Sequence, residues 1–184
     1  TGVEIGKMAY GTGTIPFIRT SDLSNWEIKA DFKHGVSQEV YEEYRGKKDV
    51  EPGDILMIRD GTYLIGTTAI VTKSDVPMLF HSHIYRIRVL AKREIEPWLL
   101  FACLNTPIVK RQIKAKHIIG TLGKRLLEVV LPIPKDIKIR RKIADEMRCV
   151  IEELVQLNKR TREIPFEVEG VEFVHRSEGG QEAV

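Results

Sequence analysis

LPIPKDIKIRRKIADEMRCVIEELVQLNKRTREI, from Leu131 to Ile164, is the stretch whose reading decides how this chain is built. Pro132 and Pro134 cannot donate backbone hydrogen bonds and push the residues before them into extended geometry, so a strand should end there. Asp136 suits a helix N-cap. Beyond it, Ile143, Met147, Val150, Leu154, Leu157, Thr161 and Ile164 are spaced alternately by four and three residues, a heptad seam in which only Thr161 is polar. A helix from Asp136 to Ile164 would measure roughly 43 Å at about 1.5 Å per residue, far beyond the roughly 10 to 14 residues of an ordinary globular helix. The residues between the seam positions are mostly charged, so a narrow apolar stripe is left that a second long helix would cover best.

Working outward, the 184 residues are 42% hydrophobic and 30% charged, enough for one ordinary core plus an appendage. A net charge of +3 permits contact with a polyanion without requiring it. Cys103 and Cys149 stand far apart in apolar helical surroundings and read as reduced core residues in a cytoplasmic protein. No apolar run approaches the roughly 20 residues of a membrane span, and the first residues lack the pattern of a signal peptide. Because Thr1 stands where a methionine would begin a chain, the sequence reads as a fragment or a processed protein.

Before the long helix, IPFIRT (15–20) reads as a buried strand running into a polar turn at Ser21, Asp22, Ser24 and Asn25. Trp26–Val36 alternates like a strand. Ser37 opens a helix that should stop at Gly46. Glu51–Asp54 is a turn, and the runs at 54–60 and 62–72 form a hairpin closed tightly at Gly61. Met78–Leu90 holds a further strand pair. Pro97 starts a helix to Asn105 and Pro107 another to about Ile118, ended by Gly120 and Gly123; Leu126–Ile133 is the last strand. The expected fold is therefore α+β: a mixed-sheet globular part at 1–135, a long helix at 136–164, and a flexible tail at 165–184.

Four pieces recur here in order: a G-x-IPFIRTSDL opening, an EPGDILMIRDGT hairpin, a strand ending in YRIRV, and a helix pair followed by LPIPKDIKIRRKIA. In this order the chain resembles half of the specificity subunit of a type I restriction-modification system, or the matching C-terminal region of a fused methylase and specificity protein. That resemblance implies a target recognition domain reading one DNA half-site, and a spacer helix pairing as an antiparallel coiled coil with a second copy or a second domain. It also implies methyltransferase subunits, and a restriction subunit, as partners. The helix length is close to the about 34 to 36 Å of one DNA turn, which fits a spacer between two readers.

Phosphate contacts should be lysines and arginines on loops and helix faces. Lys110, Lys114 and His117 share one helical face, flanked by Arg111 and Lys116, with Lys124 and Arg125 following; a solvated surface is the bland alternative. Base contacts need donors and acceptors that reach groove edges, and Arg19, Ser21 and Asn25, with Arg59 and Tyr63 around the next turn, are the candidates, unless such turns serve only their own backbone. His81 and His83 lie two apart on a strand, but no ligand set of metal spacing accompanies them, so no metal is expected.

Catalytic signatures are wanting. There is no Asn/Asp-Pro-Pro-aromatic tetrapeptide, and Gly11-Thr12-Gly13 is too short for a cofactor loop. Glu27-Ile-Lys29 and Asp136-Ile-Lys138 match the acidic-x-Lys fragment of a nuclease, but Asp136 fits a cap and Glu27 lacks an acidic partner. The expectation is a non-catalytic DNA-reading module without a cofactor, against an interaction or dimerisation module working through the heptad seam.

Overall fold

The computed structural model describes residues 1–24, 26–61, 63–91, 94–116 and 121–169; of Phe32, Lys47, Phe166, Val168 and Glu169 it describes the backbone alone. The chain divides into two compact units, Thr1–Cys149 and Val150–Val184.

The first unit is built on short strands around a three-stranded antiparallel sheet. Its central strand β4 (Ile55–Ile58) is buried at every position, which is why the sequence there is a continuous apolar run rather than an alternating one. β5 (Thr68–Ile70) pairs on one side with Ile55 opposite Ile70, and β7 (Ile84–Ile87) on the other with Ile58 opposite Ile84. β1 (Phe17–Ile18) runs parallel to β6 (Leu79–Phe80), and β2 (Leu23–Ser24) pairs with β3 (Glu27–Ile28) in a small hairpin beside β5. Ile18, Leu23, Leu56, Ile58, Val71, Met78, Phe80 and Ile84 form the central core. α1 (Gln38–Lys48) is capped by Ser37, whose hydroxyl accepts from the Val40 N–H. Gly46 breaks its helical backbone, as expected of a glycine, although the turn closes beyond it.

α2 (Pro97–Leu104) and α3 (Pro107–Lys116) begin at the two prolines read as helix starts. α4 (Ile137–Glu169) begins one residue after Asp136, whose carboxylate accepts from the Lys138 N–H at 2.7 Å, so the cap is built as read. In the first unit Ile143 and Ala144 of α4 pack on Leu99 and Cys103 of α2. In the second unit the helix runs on through Pro165. Thr161, the polar residue of the seam, returns its hydroxyl to the Leu157 carbonyl at 2.8 Å.

Five expectations need correction. The β4–β5 hairpin is closed by a nine-residue loop from Arg59 to Thr67, not tightly at Gly61. Gly66 is the glycine the packing demands: its φ is +80°, and a Cβ there would lie 2.7 Å from the Ile113 side chain. β6 and β7 pair with β1 and β4, not with each other. Trp26–Val36 holds only the two residues of β3 and isolated bridges at Trp26 and Val36, because Asp31 accepts from the Lys33 N–H and the His34 ring and curls the chain into a 3-10 turn. Leu126–Ile133 is not a strand: a 3-10 helix spans Gly123–Glu128, and the Gln112 side chain then takes both backbone groups of Val130 at 2.9 Å, standing in for a neighbouring strand. Finally, Cys103 is buried but Cys149 is exposed, so only one of the two cysteines is a core residue.

Candidate nucleic-acid interface

One end of the three-stranded sheet gathers much of the chemistry. There β4 gives way to Arg59 and β5 begins at Thr68, while β7 begins at Ile84. The Arg59 N–H bonds the His83 carbonyl at 2.8 Å, and the Arg59 carbonyl accepts from the Leu122 N–H at 3.1 Å, so the loop, the start of β7 and the segment after α3 are laced together. Asp60 forms an isolated bridge to Thr121.

Asp60 is the hinge of this cluster. Its Oδ2 accepts from Arg59 Nε at 2.6 Å and lies 2.8 Å from His83 Nδ1. Burial by itself would raise the Asp60 carboxyl, but hydrogen bonds involving Arg59, Thr121 and His83 outweigh it and hold the group below the ordinary carboxylate range. The His83 ring stacks on His81, centroids 4.7 Å apart, and burial followed by the nearness of His83 lowers the His81 pKa. Among the described residues no group of three potential ligands is placed to hold a metal; His83 reaches Asp60, and His81 meets the Phe17 ring at 6.0 Å between centroids. The Arg59 guanidinium also lies over the Tyr85 ring at 5.8 Å.

Tyr63, at the loop tip, is 87% exposed. Tyr85 donates its hydroxyl to the Gly123 carbonyl, and the exposed Lys124 and Arg125 follow directly after it. On the other flank Lys110 gives its ammonium to the Gly66 carbonyl at 2.6 Å, and burial lowers its pKa. The expected basic face of α3 is therefore divided. Lys110 is committed inward and Lys116 pairs with Glu128 at 2.8 Å, whereas Arg111 and Lys114 are exposed. His117 and Asn25 lie outside the described residues.

The Arg19 turn is differently made. Arg19 holds Asp22 through Nε and Nη2, and Asp22 is 5% exposed. Its Nη1 meets His34 Nε2 at 2.9 Å; since a guanidinium only donates, that nitrogen accepts, and the His34 Nδ1–H is left to donate to Asp31. Ser21 is exposed, with its hydroxyl on Asp22 at 3.0 Å. Asp136 is occupied as a helix cap, and Glu27 stands 3.9 Å from Lys29.

Sequence reasoning passed over Asp60, Trp26 and Asn105. Trp26 sits in the β2–β3 turn with φ +68° and bridges to Ala69, close to the same sheet end. Its indole N–H donates to Asn105 Oδ1, which also accepts from the Thr68 hydroxyl. Nothing in a sequence pattern signals a tryptophan with positive φ.

The profile of the family described as type I restriction modification DNA specificity domain matches residues 6–165. The chain belongs to that family. A search of curated proteins returns no match. Solved structures of similar fold include the S subunit of a type I restriction-modification system from M. genitalium, at 15% identity and TM-score 0.58, covering 92% of this chain. The HsdS subunit of Thermoanaerobacter tengcongensis matches at 17% identity and TM-score 0.50 over 84% of this chain. A third, described as showing complex assembly and conformational transition of the type I R-M system, matches at 15% and 0.51 over 84%. Identities this low speak to fold alone. This specificity domain covers 40% of the length of each of those three chains. The α+β architecture ending in a long helix agrees with them, and among the described residues no helix is long and apolar enough to cross a membrane.

Proposed function

We propose that this chain is a DNA-reading specificity module of a type I restriction-modification system. Non-catalytic itself, it directs methyltransferase subunits, and a restriction subunit where one is present, to one half of a bipartite site in cytoplasmic DNA. In this reading residues 1–135 are the reader and the helix from Asp136 is the spacer that pairs antiparallel with a second copy or domain. The observation that carries it is that, on a chain of this family, exposed Tyr63 stands in the loop based on Arg59 and Asp60, while exposed Lys124 and Arg125 follow Leu122 and Gly123, which are hydrogen-bonded to Arg59 and Tyr85. Lysine and arginine release condensed counterions from phosphates, and an aromatic at a loop tip adds a sequence-tolerant surface for sugars and bases.

The experiment is selection of bound duplexes from a randomised pool at two salt concentrations, with oligomeric mass recorded in the same buffers. A short enriched motif, or two motifs with a fixed gap, together with affinity that falls steeply with salt, is the expected result. No duplex binding at low salt removes the reading.

A specific observation favours a second role alongside it. Val150, Leu157 and Ile164, seven residues apart along α4, are 51%, 62% and 47% exposed, an apolar row suited to helix pairing. Leu157→Arg should lower the oligomeric mass, or lower the melting temperature where the partner helix is in the same longer chain. If DNA binding fails while this association persists, the interaction-module reading takes its place.

A further inference from the structure

Ser24 pairs with Glu27, so residues 25 and 26 are the two-residue connection of the β2–β3 hairpin. Such connections require positive φ, and glycine is the residue that adopts it without strain. Here the position with φ +68° holds tryptophan, the bulkiest of side chains. The ring is also oriented. Its N–H is tied to Asn105 Oδ1 at 3.1 Å, and its edge meets Phe101 at 6.2 Å between centroids. Asn105 is itself fixed in one amide orientation, because its oxygen takes the Trp26 N–H and the Thr68 hydroxyl while its nitrogen donates to the Phe101 carbonyl at 2.9 Å. Despite these contacts the residue remains 39% exposed, next to the sheet end where the β4–β5 loop emerges.

An indole whose only donor is already used by the protein can offer a ligand its apolar face and nothing else. It cannot read a hydrogen-bonding pattern. It can pack against a deoxyribose, a thymine methyl or the face of an unstacked base, contacts that respond to DNA shape and to stacking. We propose that Trp26 is a DNA contact of this module, a preset apolar platform carried on the hairpin turn beside the loop that bears Arg59 and Tyr63; the proposal rests on the DNA-reading function above. Asn105 is its positioning residue, acting through the indole N–H.

This 184-residue chain supplies the probe, since its two tryptophans are Trp26 and Trp98, and Trp98 packs against the Leu99–Cys103 cluster of α2. The fluorescence of a Trp98→Phe variant, which reports Trp26 alone, is titrated with the duplex enriched from the pool, and a Trp26→Phe variant serves as the control. Trp26→Gly is the variant that keeps the turn, because glycine accepts the φ that tryptophan tolerates only under strain; its melting curve is recorded beside its duplex affinity.

The expected result is a duplex-dependent change in the Trp26 signal and none in the Trp98 signal. Trp26→Gly should bind about 5- to 150-fold more weakly, the equivalent of the about 1 to 3 kcal/mol of an aromatic–base contact, while Trp26→Phe loses less. Wild-type binding with an unchanged Trp26 signal and a Trp26→Gly affinity within about twofold overturns the proposal and leaves the DNA-reading function standing. A Trp26 signal that answers to a methyltransferase subunit but not to duplex overturns it in favour of a protein contact. Absence of any duplex binding by the wild type overturns both.

Discussion

The Arg19 turn and the β4–β5 loop start alike and end differently. Each follows a buried strand, and each opens on an arginine with an aspartate close behind. At Arg19 the guanidinium is 31% exposed but fully committed: Asp22, Asp31 and His34 account for its nitrogens, and the turn is a self-contained network. At Arg59 the same kind of pair is the base of a longer loop. Asp60 ties it to His83, and the chain then reaches out to an 87% exposed Tyr63 before returning through Gly66. The lesson concerns arginine: its type and position in a turn do not say whether its five donors are already used. The carboxylates within reach decide that.

The comparison can be broken by mutation. Arg19→Ala leaves the buried Asp22 without its main partner and should cost about 2 to 3 kcal/mol of stability, measured by denaturant unfolding, with duplex affinity of the folded fraction unchanged. An unaltered unfolding midpoint would mean that Arg19 is not a structural residue. Asp60→Ala should cost less, about 1 to 2 kcal/mol, yet weaken duplex binding, since Arg59 and the loop lose their common anchor. If binding stays at the wild-type level, the loop does not need this scaffold.

The exposed residues should behave in the opposite sense. Tyr63→Ala and Lys124→Gln should change stability by no more than about 0.5 kcal/mol, while Lys124→Gln lowers the slope of log affinity against log salt by about 1. Lys110→Met, whose ammonium is given to Gly66, should leave that slope as it is. Equal slopes for Lys110 and Lys124 variants would erase the distinction drawn between committed and free cations.

The smallest effect concerns pH. Burial holds the folded His81 pKa below its ordinary value of about 6.5, so on acidification the unfolded chain takes up the proton first. Stability is therefore full above about 6.5 and declines as pH falls from there toward the lower folded value. His81→Gln should flatten that part of the stability–pH curve, read by thermal melting across a pH series.

Local pattern determined much of this protein. The two helix-starting prolines, the Ser37 and Asp136 caps, the β-rich run of β4 and the long helix α4 were all legible, because each rests on backbone geometry or apolar periodicity within a few residues. The order of four short phrases carried the family. The tertiary structure alone decided the rest. Gln112 replaces a strand partner for Val130, β6 leaves its neighbour to join β1, Lys110 turns inward while Lys114 stays out, and Trp26 occupies a glycine-like turn. In each case the deciding partner lies well along the chain, at Gln112, Phe17, Gly66 or Asn105, and hydrogen-bond valence is settled by what folding brings within about 3 Å, which spacing in sequence does not encode.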